Sequence, residues 1–254
     1  MKTFISSFLA GILLLAGSSV AVAQDDGMLI IPVELFACNY HEGKGSGDLD
    51  KVIDRWNKWA DKNGVDDYAA WTLTPYYYGP EQEFDVLWLG AAKDAVALGK
   101  AQDSYMTETD GLHAAFNEVI SCNAHVNFAS LNYKAASTGA TPENSVITFS
   151  DCSFKEGATF EALGSAMGQW TQHPTDGGSN STIFHWYPAY GGGKEKFSFK
   201  WLEVHKNFAE LGADYERYGN GRGYETRGEL LDDLVDCDSS RAYVAQSRRF
   251  VQLR

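Results

Sequence analysis

Apolar positions along the chain fall into two spacings that alternate and then recur. Leu49, Val52, Ile53, Trp56 and Ala60 keep the three- and four-residue steps of one helix face. Around them, residues 33–40, 67–78 and 84–91 are rich in β-branched and aromatic side chains and read as strands, the last two joined by the turn signal Gly79-Pro80. Asp94 stands where an N-cap belongs, ahead of a helix through Leu98 and Tyr105. A further helical piece carries Leu112, Phe116, Val119 and Ile120, and residues 124–131 complete the set as a strand. The same order then returns. Phe160, Leu163, Met167 and Trp170 mark one helix, and Asn207 caps another through Phe208, Leu211, Tyr215 and Tyr218.

The recurrence is also written in residue identities. With an offset of 113, ten of the 35 positions from Trp71 to Tyr105 match those from Phe184 to Tyr218, among them Pro75/Pro188, Gly79/Gly192, Phe84/Phe197, Trp88/Trp201 and Gly99/Gly212. Ordinary residue usage gives roughly two by chance. Upstream, an offset of 114 aligns Cys38 with Cys152 and Trp56 with Trp170, and downstream an offset of 115 aligns Cys122 with Cys237. The offset drifts by single residues, as loops allow.

Each copy therefore has the order β-α-β-β-α-β, the ferredoxin-like plan, whose sheet is covered by helices on one face only. The other face needs a partner, and a second copy supplies it. On this element order and duplication the chain resembles the dimeric α/β-barrel superfamily in its tandem, single-chain form. The resemblance spans nearly all of the chain after residue 23 and carries no family-specific motif. It implies an α+β fold of two tandem ferredoxin-like βαββαβ repeats, residues 24–136 and 137–254, forming a pseudo-dimeric α/β barrel. Relatives of that fold include small monooxygenases, isomerases and haem enzymes, and their pockets often lie between sheet and helices.

Lys2, the apolar run 4–16 and the small-residue signal Ala21-Val22-Ala23 predict a signal peptide over residues 1–23, and hence a secreted or periplasmic protein. Without Lys2, the 21 Lys and Arg fall to 20 against 34 Asp and Glu, a formal charge of −14. Such acidity excludes nucleic acid and anionic membrane as partners of the processed chain and leaves a small-molecule ligand. Four cysteines in an exported chain predict disulfides. In the ferredoxin-like plan the first and fourth strands are antiparallel neighbours, so the pairs expected are Cys38–Cys122 and Cys152–Cys237. A metal site or catalytic thiols would need CxxC or Cys/His spacing, which the sequence lacks, and no metal site is expected.

No catalytic motif such as H-E-x-x-H, G-x-S-x-G or a P-loop is present. Candidate chemistry comes instead from positions where the copies differ. His185 replaces Thr72, Lys200 replaces Leu87, Glu203 replaces Gly90, His205 replaces Ala92, and Asp151 replaces Ala37. Strand alternation places Trp71, Trp88, Trp186 and Trp201 on one face, read as packing under the helices. It places His185, Tyr187, Lys200, Glu34, Thr72 and His125 on the other, read as lining the interior shared by the two sheets. A hairpin register that pairs His185 with Lys200 would set a cation beside an imidazole and perturb both. Glu34 or His185 would then serve as general base, and Tyr187 or Lys200 as donor to a developing oxyanion. Thr72, His125, Trp71 and Trp186 would contact the ligand.

This reading gives a secreted small-molecule-binding protein, in one form a cofactor-independent enzyme of monooxygenase or isomerase type acting on a small, partly apolar compound. Two others stand beside it. One is a non-catalytic secreted module that binds a ligand or protein; its polar groups would be a satisfied network or wet barrel mouth. The other is a haem-binding protein, with His205 as the candidate ligand and the tryptophan face as the wall. No cofactor is expected in the first two.

Overall fold

The computed structural model describes residues 30–136, 144–251 and 253. The expected signal peptide and the junction between the copies at 136/137 fall at or within segments outside the described residues. The first half runs β1 (Ile30–Tyr40), α1 (Ser46–Lys62), β2 (Tyr68–Tyr77), β3 (Val86–Ala92), α2 (Ala95–Met106), α3 (Leu112–Asn117) and β4 (Ile120–Lys134). The second runs β5 (Asn144–Phe154), α4 (Phe160–Trp170), α5 (Gln172–Asp176), β6 (Thr182–Tyr190), β7 (Phe199–His205), α6 (Phe208–Gly219), α7 (Gly223–Leu231), β8 (Val235–Cys237) and β9 (Arg241–Arg249). The offset of 113 carries β3 onto β7 and α2 onto α6 residue for residue. Both predicted caps form. Asp94 accepts from the Ala97 amide at 2.7 Å and Asn207 from the Glu210 amide at 2.9 Å.

The strands follow the order β7-β6-β4-β1-β3-β2-β9-β5, and β5 pairs back onto β7. This closes an antiparallel barrel of eight strands, with the short β8 added beside β5. The pairs β4–β6 and β2–β9 join the halves, so each half's open sheet edges are satisfied by the other. The barrel interior is apolar, filled by Val33, Leu35, Leu73, Phe149, Trp186 and Tyr243 with their neighbours. A second layer of core lies between the sheet and the helices in each half. Among the described residues no helix is long and apolar enough to cross a membrane.

The expected disulfides are the ones present. Cys38 faces Cys122 across β1 and β4, and Cys152 faces Cys237 across β5 and β8.

Register corrects the assignment of faces. Alternation fixes parity within a strand, but hairpin register alone relates one strand's parity to its neighbour's. His185 pairs with Trp201, and Lys200 pairs with Trp186. His185 and Trp201 therefore face the helices while Trp186 faces the barrel, and His185 and Lys200 lie on opposite sides of the sheet. In the first half Trp71 pairs with Leu89 on the barrel side and Thr72 with Trp88 on the helix side.

Candidate functional site

The polar groups expected to meet in one interior are divided among three places. Lys200 stays on the barrel side, paired with Asp151 at 2.5 Å and over the Phe197 ring. Its neighbour Asp151 also meets Arg241 at 3.4 Å, so this is a satisfied ion cluster at the end of β5 and β7. Trp71 and Trp186 belong to the barrel core. Thr72 is buried on the helix side, where its hydroxyl accepts from Arg248 Nε at 2.7 Å.

His185 and Tyr187 lie in the helix–sheet layer of the second half. The His185 ring is fully buried against Tyr133, Phe199 and Trp201, and neither of its nitrogens has a partner. Burial alone pushes its pKa down to about 3, so it stands as a neutral, packed ring. Burial also drives Tyr187 far above the ordinary phenol value. No acid–base pair with Lys200 exists here. His205 is no better placed to bind a metal. Its Nδ1 lies 3.0 Å from Asp214 and its Nε2 3.6 Å from Glu203. Burial lowers its pKa, but the two carboxylates outweigh burial and raise it to about 9, so both nitrogens carry protons.

Glu34 and His125 do meet, in the first half and under the helices. Register sets Phe36 opposite His125 and the rings stack at 3.6 Å, which brings His125 Nε2 to 2.9 Å from Glu34 Oε2. Glu34 is 4% exposed and accepts two further hydrogen bonds, from the Tyr68 hydroxyl at 2.7 Å and Gln102 Nε2 at 2.9 Å. Burial pushes its pKa up, but the bonds from His125, Tyr68 and Gln102 outweigh burial and hold the carboxyl below its usual range. Tyr68, buried and beside that carboxylate, is pushed well above the usual phenol value, and its oxygen accepts the Trp88 indole N–H at 3.0 Å.

This cluster floors a cavity of about 600 Å³ between the sheet and α1, α2 and α3. Its walls are Trp56, Trp59, Trp88, Phe36 and Phe116, with Tyr105 and His113 on the helix side and the Cys38–Cys122 bridge at the strand side. His113 is anchored through Nε2 to the Tyr105 carbonyl at 2.9 Å. The size and the mix of aromatic wall with few polar groups fit a small-molecule site. Sequence reasoning passed over Tyr68, Gln102 and His113. Gly90 was the available signal. A Cβ there would stand 1.8 Å from the Tyr68 hydroxyl, so the bare backbone is what lets Tyr68 reach Glu34.

No family description and no curated protein matches this sequence. Solved structures do. A structure named "Putative Chlorite dismutase TA0507" superposes with a TM-score of 0.53 at 11% identity, covering 88% of this chain and 96% of that one. A mutant chlorite dismutase from Candidatus Nitrospira defluvii gives 0.52 at 6% identity, over 85% of this chain and 91% of that one. A heme-binding protein from Thermus thermophilus gives 0.48 at 10% identity, over 86% and 91%. At these identities the likeness shows the fold: an α+β, chlorite dismutase-like barrel. The expectation of a site without a cofactor finds no support among these neighbours, one of which is named as heme-binding.

Proposed function

We propose that this chain is a haem-binding protein, exported after removal of residues 1–23 and built from two ferredoxin-like repeats, residues 24–136 and 137–254. The haem site we assign is the cavity of the first half. One observation carries the reading: an aromatic cavity of about 600 Å³ contains an imidazole, His125, whose Nε2 is already held by a buried carboxylate. A metal-binding histidine ordinarily has its second nitrogen held in this way by a carboxylate or carbonyl. His113, held by the Tyr105 carbonyl, offers the same arrangement from the helix side.

The residues present fit the group. Trp56, Trp59, Trp88 and Phe116 supply flat apolar walls. His125 or His113 would hold the iron through a ring nitrogen. Neither Lys nor Arg lines the cavity among the described residues, so the chain offers a haem's carboxylates no cation there. When bound, haem supplies a redox-active iron. The chain's part is to exclude water around the ring, orient the imidazole through Glu34, and keep Glu34 ionised with the Tyr68 and Gln102 bonds.

Titration of the processed protein with hemin tests the assignment. A Soret change that saturates at one equivalent is expected. His125→Ala and His113→Ala should each alter the spectrum or weaken binding, by about tenfold or more for the residue that would hold the iron. Unsaturable hemin uptake, identical in both variants and the parent, defeats it.

A further inference from the structure

β6 stays paired with β4 as far as Tyr190 and Asn127. The next residue, Gly191, turns at φ +90° and lays its bare backbone on β4. A Cβ there would stand 2.2 Å from the His125 carbonyl oxygen and 3.0 Å from Val126 Cα. Both are backbone atoms, so no side chain can swing away from the contact. β4 is thus held at His125 from two sides, by Gly191 of the second half and by Phe36 of β1, its partner in register.

The other hairpin shows that the ferredoxin-like plan does not require this turn. The two hairpins share Pro75/Pro188, Tyr77/Tyr190 and Gly79/Gly192, but the first carries Tyr78 where the second carries Gly191. Tyr78 is 60% exposed, and among the described residues Arg222 is the only non-glycine with a positive φ. A left-handed residue pressed onto β4 is therefore particular to the hairpin that abuts the cavity.

We infer that Gly191 is a positioning residue for the cavity of the first half: through the β4 backbone it holds the His125 imidazole in place, so the site is complete only with a hairpin from the second half. The inference rests on the cavity being a ligand site and names what keeps its imidazole in register. The ring stacks on Phe36 at 3.6 Å, and its Nε2 lies 2.9 Å from Glu34 Oε2. Ordinary contact begins at about 3.4 Å, so a Cβ on residue 191 must part the two backbones by about 1 Å. A hydrogen bond lengthened by that much is lost. A misplacement of about 1 Å is enough to weaken the work of a site about a hundredfold.

Gly191→Ala tests this against Gly193→Ala. Gly193 has φ +95°, and a Cβ there meets nothing within 4 Å, so the second change adds similar backbone strain without the contact. Two readouts are taken on the processed protein. The first needs no ligand. The chain has six histidines, and the ring resonance that His125→Ala removes from the proton–carbon spectrum is that of His125. Its shift is set by the Phe36 ring it lies on. In Gly191→Ala that shift should move towards the value of an exposed histidine. The second readout is hemin affinity, which should fall at least about tenfold in Gly191→Ala. Gly193→Ala should leave the ring shift in place and the affinity within about twofold. An unchanged ring shift in Gly191→Ala overturns the inference, as does an equal displacement in Gly193→Ala or a hemin affinity that ignores a displaced ring. If Gly191→Ala does not fold, Gly191→Asn is read in its place, since it carries the same Cβ on a residue that tolerates positive φ. Loss of the fold in both also overturns it, because the contact would then serve the barrel as a whole. A parent protein that takes no hemin, yet whose His125 ring moves in Gly191→Ala alone, defeats the haem assignment and leaves the positioning standing.

Discussion

In the first half the Trp88 indole donates to the Tyr68 hydroxyl, which donates to Glu34. In the second half the equivalent indole, Trp201, donates straight to Glu203 at 3.1 Å. Position 90 is glycine in one copy and its counterpart 203 is glutamate in the other; 92 is alanine where 205 is histidine; Tyr68 corresponds to Ser181. The two halves share a backbone plan and exchange the polar groups under it. One leaves room for Tyr68 over Gly90 and keeps a cavity open beside it. The other fills the layer with His185, Tyr133 and Tyr187 and closes it with an ion cluster. There Asp214 faces His205, Arg217 and Ser179, while Lys134 donates to the carbonyls of Ser179 and Ser181. The second half thus packs its helix–sheet layer, while the first keeps a cavity in it.

Removing the disulfides gives the largest effect and the hardest test of that division. Cys38–Cys122 and Cys152–Cys237 span 84 and 85 residues, so replacing either pair with alanine should cost about 3–5 kcal/mol. Melting temperature should fall by about 6–15 °C in both cases. Cys38 and Cys122 also line the cavity, so only that pair should weaken ligand binding at a temperature where both variants are folded. Equal loss of affinity from the two replacements breaks the comparison.

Alkaline pH should single out the second half. His205 is raised to about 9 by Asp214 and Glu203, above the ordinary histidine value. Its contribution to stability is therefore complete below about pH 6.5 and is lost as pH rises through about 9. Amide exchange should speed up in α6 and β7 over that window by an amount equal to about 1–3 kcal/mol, with α2 and β3 unchanged. In His205→Gln the pH dependence should vanish. On the acid side Asp214, held down to about 2 by His205, Arg217 and Ser179 despite its burial, keeps its contribution above about pH 4 and loses it as pH falls towards 2. An exchange profile that changes equally in both halves contradicts the assignment.

The smallest effect is expected at His185. A neutral ring with neither nitrogen partnered contributes packing but no hydrogen bond. His185→Phe should leave stability within about 1 kcal/mol, or raise it, with ligand binding in the first half untouched. A fall of more than about 2 kcal/mol in a urea melt would reveal a partner for the imidazole.

Much of the fold was legible because it repeats. Trp88/Trp201, Leu98/Leu211 and the Asp94/Asn207 caps recur at one offset, and each pair occupies matching places in β3/β7 or α2/α6. The site was legible only in fragments. Glu34 and His125 stand out as polar residues on apolar strands, but alternation alone places them in the barrel interior together with Lys200 and His185. The reason is the hairpin register. A shift of one residue between β6 and β7 exchanges which of Trp201 and Lys200 lies beside His185, and alternation within either strand is silent about it.

The sequence by itself determined the strand and helix order, the caps and the disulfide pairing, because these rest on spacing along the chain and on strands that must be neighbours in one plan. Only the tertiary structure decided which half holds the cavity. That choice depends on volumes and proton directions brought together from β1, β2, β3, β4 and three helices: the empty Cβ position at Gly90, the Tyr68 hydroxyl that fills it, and a buried carboxylate whose three donors lie 34, 68 and 91 residues away along the chain.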